Sequence, residues 1–113
     1  MMKNNIIVVA FVKYENEEHQ GKTWPVLIYK QDDAHYQLFK ITSKFSTKSK
    51  RIQHFYYEIQ EWKHAGLNQP SWIDTGRLVE FHKDWKLVRI GKLQLSDIKG
   101  LDKFLEAHRH SYL

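Results

Sequence analysis

Gly21-Lys22-Thr23-Trp24-Pro25-Val26-Leu27-Ile28 and, further on, Lys40-Ile41-Thr42-Ser43 are the stretches that decide how this chain folds. The first reads as a turn at Gly21 entering a short buried strand. Pro25 has no amide to donate, so it belongs at that strand's start or on a sheet edge. The second reads as a buried strand that ends in a polar site.

Working outward, Ile6 to Val12 is apolar and rich in β-branched residues, the pattern of a strand buried on both faces. Lys13 to Thr23 is polar and reads as a long loop. Trp24 to Lys30 forms the second strand, Gln31 to Ala34 a turn, and His35 to Ile41 the third. In that third strand Tyr36, Leu38 and Lys40 alternate with His35, Gln37 and Phe39, and either set could face the core. Ser43 to Arg51 carries Lys44, Lys48, Lys50 and Arg51 with no acid, which reads as a flexible basic loop.

From Ile52 to Leu67 two periods compete. Ile52, Phe55, Ile59 and Trp62 fit a helix, whereas Phe55, Tyr57 and Ile59 alternate as in a strand. We read a strand through Tyr56 to Gln60, then helical turns through Glu61 to Ala65, stopped by Gly66. Trp72 to Asp74, Arg77 to Phe81 and Trp85 to Ile90 read as three further strands. The last segment reads as a helix capped by Ser96, with Asp97 in its first turn and one apolar stripe of Ile98, Leu101, Phe104 and Leu105. Many short strands and one terminal helix predict a mainly β domain: a bent antiparallel sheet or small barrel with the helix packed on it.

At 113 residues the chain is read as one domain with a single modest core. Eighteen Lys and Arg against thirteen Asp and Glu give a formal charge of +5, which favours an anionic partner, either nucleic acid or an acidic protein segment. The absence of cysteine excludes disulfides, zinc ribbons and thiol nucleophiles. The seven histidines show no zinc spacing, so no metal or cofactor is expected. The apolar run at Ile6 is too short to span a bilayer and has no signal-peptide cleavage site. A soluble cytoplasmic protein is therefore expected.

In order and spacing these segments resemble the MazF/PemK-like toxins, endoribonucleases of type II toxin–antitoxin pairs. The resemblance rests on the two opening stretches, on Ala65-Gly66-Leu67 with Pro70-Ser71, on Asp74 with Arg77-Leu78-Val79, and on Ile90-Gly91-Lys92-Leu93 leading into Ser96-Asp97. It implies an SH3-like barrel with a C-terminal helix, cleavage of single-stranded RNA at a short sequence, a homodimer, and an acidic antitoxin whose disordered tail covers the groove. Two positions depart from the family pattern. Trp24 stands where the family usually writes arginine before proline, and Trp72 stands where one branch has a second arginine.

Metal-free RNA cleavage needs a base for the 2′-hydroxyl, donors for the charge growing on phosphate, and an acid for the leaving oxygen. The resemblance assigns the chemistry to Thr42 and Asp74. The plainer readings are a strand-end threonine bonding nearby backbone and an aspartate closing a turn. Lys22, Thr23, Trp24, Ser43, Lys44, Lys48, Lys50, Arg51 and Arg77 are the expected RNA contacts, the basic ones through phosphate and Trp24 through stacking. For Trp24 the plainer reading is an aromatic plug, and for Arg77 a surface salt bridge. His19, with an ordinary pKa near neutrality, is the candidate for acid–base work, although a loop histidine is more often simply solvated.

Overall fold

A computed structural model of the chain describes residues 2–13 and 21–109; the side chains of residues 11–13 and 21–23 lie outside that description. The strands are β1 Ile6–Lys13, β2 Gly21–Gln31, β3 His35–Thr42, β4 Tyr56–Glu58, β5 Trp72–His82 and β6 Leu87–Lys92. A short helix α1, Lys50–Gln53, precedes β4, and α2, Leu95–Ala107, follows β6. All pairings are antiparallel, and the six strands form one sheet in the order β4-β5-β3-β2-β1-β6.

The facing ambiguity in β3 has a physical origin, because both sheet faces are covered. Tyr36 and Leu38 join Val8, Ala10, Val26 and Ile28 in one apolar cluster. Phe39 and Ile41 join Ile7, Leu27 and Ile73 in another, which α2 covers with Leu101. In β3 the buried positions Tyr36, Leu38, Phe39 and Ile41 therefore fall on both faces, and strict alternation breaks between Leu38 and Phe39. Lys40 interrupts the apolar run from Leu38 to Ile41, and it is only half-buried.

The sheet does not close into a hydrogen-bonded barrel; its order runs out at β4 and β6. Backbone packing bridges the gap instead. After β4 the chain makes the expected helical turn, with Ala65 N–H donating to Glu61 O. Gly66 N–H then donates to Lys63 O, and Leu67 N–H to Trp62 O. This is a Schellman ending, and Gly66 has the positive φ of 93° that it requires. The turn lies directly on β6: a Cβ on Gly66 would overlap Ile90 O, and one on Gly91 would overlap Ala65 O. The Ala-Gly-Leu segment thus does the closing that a strand pair does in a barrel.

Three local expectations are corrected. The segments Trp72 to Asp74 and Arg77 to Phe81 are one strand, β5, because only the ladder jumps: Phe39 pairs with Leu78 but Lys40 pairs with Asp74. The three residues between them leave the ladder, and their polarity makes them look like a turn. The C-terminal helix is capped at Gln94, without a side-chain cap bond, so Ser96 lies inside its first turn. Finally, the basic segment is built rather than loose. Ser49 caps α1 through a bond from Ile52 N–H, and the Gln53 side chain donates to Phe45 O at 2.8 Å.

Candidate functional site

Three adjoining depressions open around one side chain, Lys40 of β3. The first holds about 380 Å³ and is walled by Trp24, Val26, Leu38, Val79 and Phe81, with Asp74 and Arg77 at its rim. The second runs from Trp24 and Pro25 past Thr42, Ser43, Lys44 and Lys48 to Asn68 and Gln69. The third lies between Lys48 and Arg51 on one side and Asp74 and Arg77 on the other. Lys40 lines all three, and its Nζ sits 4.0 Å from the centroid of the Trp24 ring.

Register explains the convergence. β2 and β3 pair at Val26 and Lys40, which brings the Pro25 entry of one opening stretch beside the Thr42 exit of the other. Across β3, Lys40 pairs with Asp74, and Asp74 in turn pairs with Tyr56 of β4. Burial, with the nearby Asp74 charge second, raises the pKa of the Tyr56 phenol. The Asp74 carboxylate Oδ1 accepts Gly76 N–H at 2.9 Å, so it also fixes the bulge that follows it. Buried Thr75 anchors the same bulge from behind, donating from both N and Oγ1 to Phe55 O at 2.9 and 2.6 Å. Exposed Arg77 is thereby swung to the rim.

The Thr42 hydroxyl accepts Lys44 N–H at 3.1 Å. That bond is the strand-end role the sequence allowed, and it leaves the hydroxyl proton as a donor. Beyond it, the Phe45 ring stacks on Trp72 at 4.9 Å and 15°. Trp72 therefore works as a brace for the basic segment and lines none of the three depressions. Trp24 does line the site, in two of them.

Most of the residues singled out in the sequence do meet here: Trp24, Thr42, Ser43, Lys44, Lys48, Arg51, Asp74 and Arg77. Lys50, on α1, lines none of the three depressions. Lys22 and Thr23 are placed by backbone alone, across from Val12 and Phe11. His19 lies outside the described residues. Among the described residues, no group of three or more His, Asp or Glu side chains is placed to hold a metal ion, and no helix is long and apolar enough to cross a membrane.

Sequence reasoning overlooked Lys40. The available signal was a lone base inside an apolar strand, Leu38-Phe39-Lys40-Ile41, where a charge is costly unless it has a task or a partner. With it, among the described residues five cations (Lys40, Lys44, Lys48, Arg51 and Arg77) and one carboxylate, Asp74, line the three depressions. Such a surface attracts polyanions and holds a proton acceptor, Asp74, among its cations.

No curated protein matches the chain. The profile of the PemK-like, MazF-like toxins of type II toxin–antitoxin systems matches residues 3–108, nearly the whole sequence and every element that builds this site. The chain belongs to that toxin family.

Proposed function

We propose that this toxin is an endoribonuclease that cuts single-stranded RNA, messenger RNA included, at a short sequence and so arrests growth. One observation carries the reading: Thr42 lines one depression and Asp74 the two beside it, all three meeting at Lys40, with Lys44, Lys48, Arg51 and Arg77 also in their walls. RNA brings its own nucleophile, the 2′-hydroxyl, so the protein has only to move protons and hold charge. Asp74 takes the 2′-hydroxyl proton, and the 2′-oxygen attacks phosphorus. The Thr42 hydroxyl donates to a non-bridging oxygen as charge builds there. The bond to the 5′-oxygen then breaks as that oxygen takes a proton from a water molecule in the open groove, leaving a 2′,3′-cyclic phosphate and a free 5′-hydroxyl, and Asp74 returns its proton to solvent. Lys44, Lys48, Arg51 and Arg77 hold the flanking phosphates.

The protein acts in the cytoplasm as a homodimer, silenced by an acidic antitoxin. One groove serves both RNA and inhibitor, so the antitoxin covers Trp24, Thr42 and the Lys44–Arg51 segment. Saturating antitoxin therefore abolishes binding of a labelled RNA; unchanged RNA affinity would place inhibition on another surface.

The direct test is expression without the antitoxin, followed by mapping of transcript ends. Growth arrest with cuts at a recurring sequence is expected, and both should disappear in Thr42→Ala. A second reading is favoured by Trp24, which stands where the family usually writes arginine, and by Trp72, which stands where one branch has another: the groove binds RNA or an acidic peptide without cutting. Salt-dependent RNA binding with no product, unaltered by Thr42→Ala, would establish that reading instead.

A further inference from the structure

We infer that Lys40 is the central phosphate-binding cation of this groove and that Trp24 is the residue that positions its ammonium. The inference rests on the reading of the groove as an RNA site. Of the five cations, Lys44, Lys48 and Arg51 belong to the segment after β3, and Arg77 belongs to the bulge of β5. Lys40 alone lies in the ladder of an interior strand, paired to Val26 on one side and Asp74 on the other. It is also the one shared by all three depressions, so a strand crossing from the Thr42 side to the Arg77 side passes over it.

A lysine ammonium on four rotatable carbons is a poorly aimed charge. Here the indole face takes up one side of it at 4.0 Å, inside the reach of a cation–π contact. A neutral ring confines the ammonium without cancelling its charge. The register adds a second reason. Asp74 is the Cα partner of Lys40, so the proton acceptor and the anion holder stand side by side. In RNA the 2′-oxygen and the phosphorus it attacks are just as closely joined. Lys40 is thus placed to contact the scissile phosphate, whereas the loop cations are placed for its neighbours.

The test uses full-length protein and two probes. A mixed-sequence single-stranded RNA reports cleavage, and its 2′-O-methyl counterpart, which lacks the nucleophile, reports binding as a function of salt. Lys40→Met is expected to weaken binding roughly ten- to hundredfold and to lower cleavage at least as much. It should also make the salt dependence shallower by about one phosphate's worth, a change in slope of about 0.7. Lys40→Arg keeps the charge in the same strand and should retain the slope, which separates lost charge from lost fold. Trp24→Leu should lower the turnover rate while the slope stays near wild type, since the charge remains but is no longer held. Trp24→Phe should restore part of that rate. Lys103→Met, on the exposed side of α2, is the charge-matched control.

A Lys40→Met protein within about twofold of wild type in both cleavage and slope would overturn the inference while leaving the nuclease intact. Wild-type protein that cleaves nothing, yet loses one phosphate contact in Lys40→Met, would overturn the nuclease reading and uphold the inference.

Discussion

Two aspartates divide the molecule. Asp97, in the first turn of α2, is fully buried, and its carboxylate accepts from Tyr57 Oη at 2.7 Å and from Gln60 and Glu61 N–H at 2.9 Å each. Asp74, in β5, is half-buried and takes one backbone bond, from Gly76, amid Lys40 and Arg77. Asp97 is committed to donors inside the fold and ties α2 to the turn that bridges the sheet's two ends. Asp74 presents a carboxylate to an open, basic groove. The difference separates a residue that holds the architecture from one available for chemistry, although the sequence alone shows only two aspartates beside short apolar segments.

The sharpest way to break this contrast is to remove the buried carboxylate. Asp97→Ala leaves a phenol and two amides without their acceptor and opens a small void. A loss of about 3–5 kcal/mol is expected, because several buried donors are orphaned at once. Urea unfolding should show the fall in midpoint. A change within about 0.5 kcal/mol would mean that water replaces the carboxylate at little cost and that the turn is not held there.

Asp74→Asn should behave in the opposite way. Stability stays within about 0.5 kcal/mol of wild type, as expected for an accessible side chain whose backbone bond the amide oxygen can still accept. Cleavage of RNA falls roughly a hundredfold or more, the usual cost of losing a general base. Full activity in this variant would move the base elsewhere in the groove and reduce Asp74 to a turn-former.

The same division explains what was legible in the sequence. Gly66 as a helix stop could be read because a local rule, the positive φ of a Schellman ending, decides it. β1 could be read because a continuous apolar stretch marks a strand covered on both faces. β3 and most of β2 could be read from β-rich stretches bounded by polar turns, although Gly21 to Thr23, read as loop, belongs to β2. Ser96 as a cap failed for a tertiary reason: the neighbouring Asp97 is drawn to Gln60 and Glu61, and the helix starts at Leu95. β5 looked like two strands because its ladder skips three residues, which no local period encodes. In the groove, Thr42 and Asp74 came from the resemblance to the toxin family. Lys40 was hidden because its importance lies in three neighbouring strands meeting at its position, a fact of register.

A smaller effect concerns the brace under the basic segment. Trp72→Leu removes the stacking on Phe45 and should cost about 1–2 kcal/mol. More tellingly, amide exchange at residues 44–49 should rise while exchange in β1 and β2 stays unchanged. Equal protection throughout would show that the Ser49 cap and the Gln53 side chain suffice to order the segment.

The smallest effect is a pH dependence at the buried end. Burial first, and the hydrogen bond to Asp97 second, push the Tyr57 phenol well above its ordinary value of 10.0. A raised folded pKa means that the folded state holds this proton more tightly than the unfolded chain does. Its stabilising contribution is complete below pH 10 and is lost as pH climbs above it, because the unfolded phenol ionises first. Tyr57→Phe should therefore be about 1 kcal/mol less stable than wild type near neutrality, for want of one hydrogen bond to Asp97. The gap should narrow as the solution is made more alkaline than pH 10, since phenylalanine has no proton to lose. Tyr56, whose pKa is also raised, is present in both proteins and cancels from the comparison. A gap that stayed constant through the alkaline range would mean that Tyr57 ionises alike in the folded and unfolded chains, and Asp97 would then be held by its two backbone amides alone.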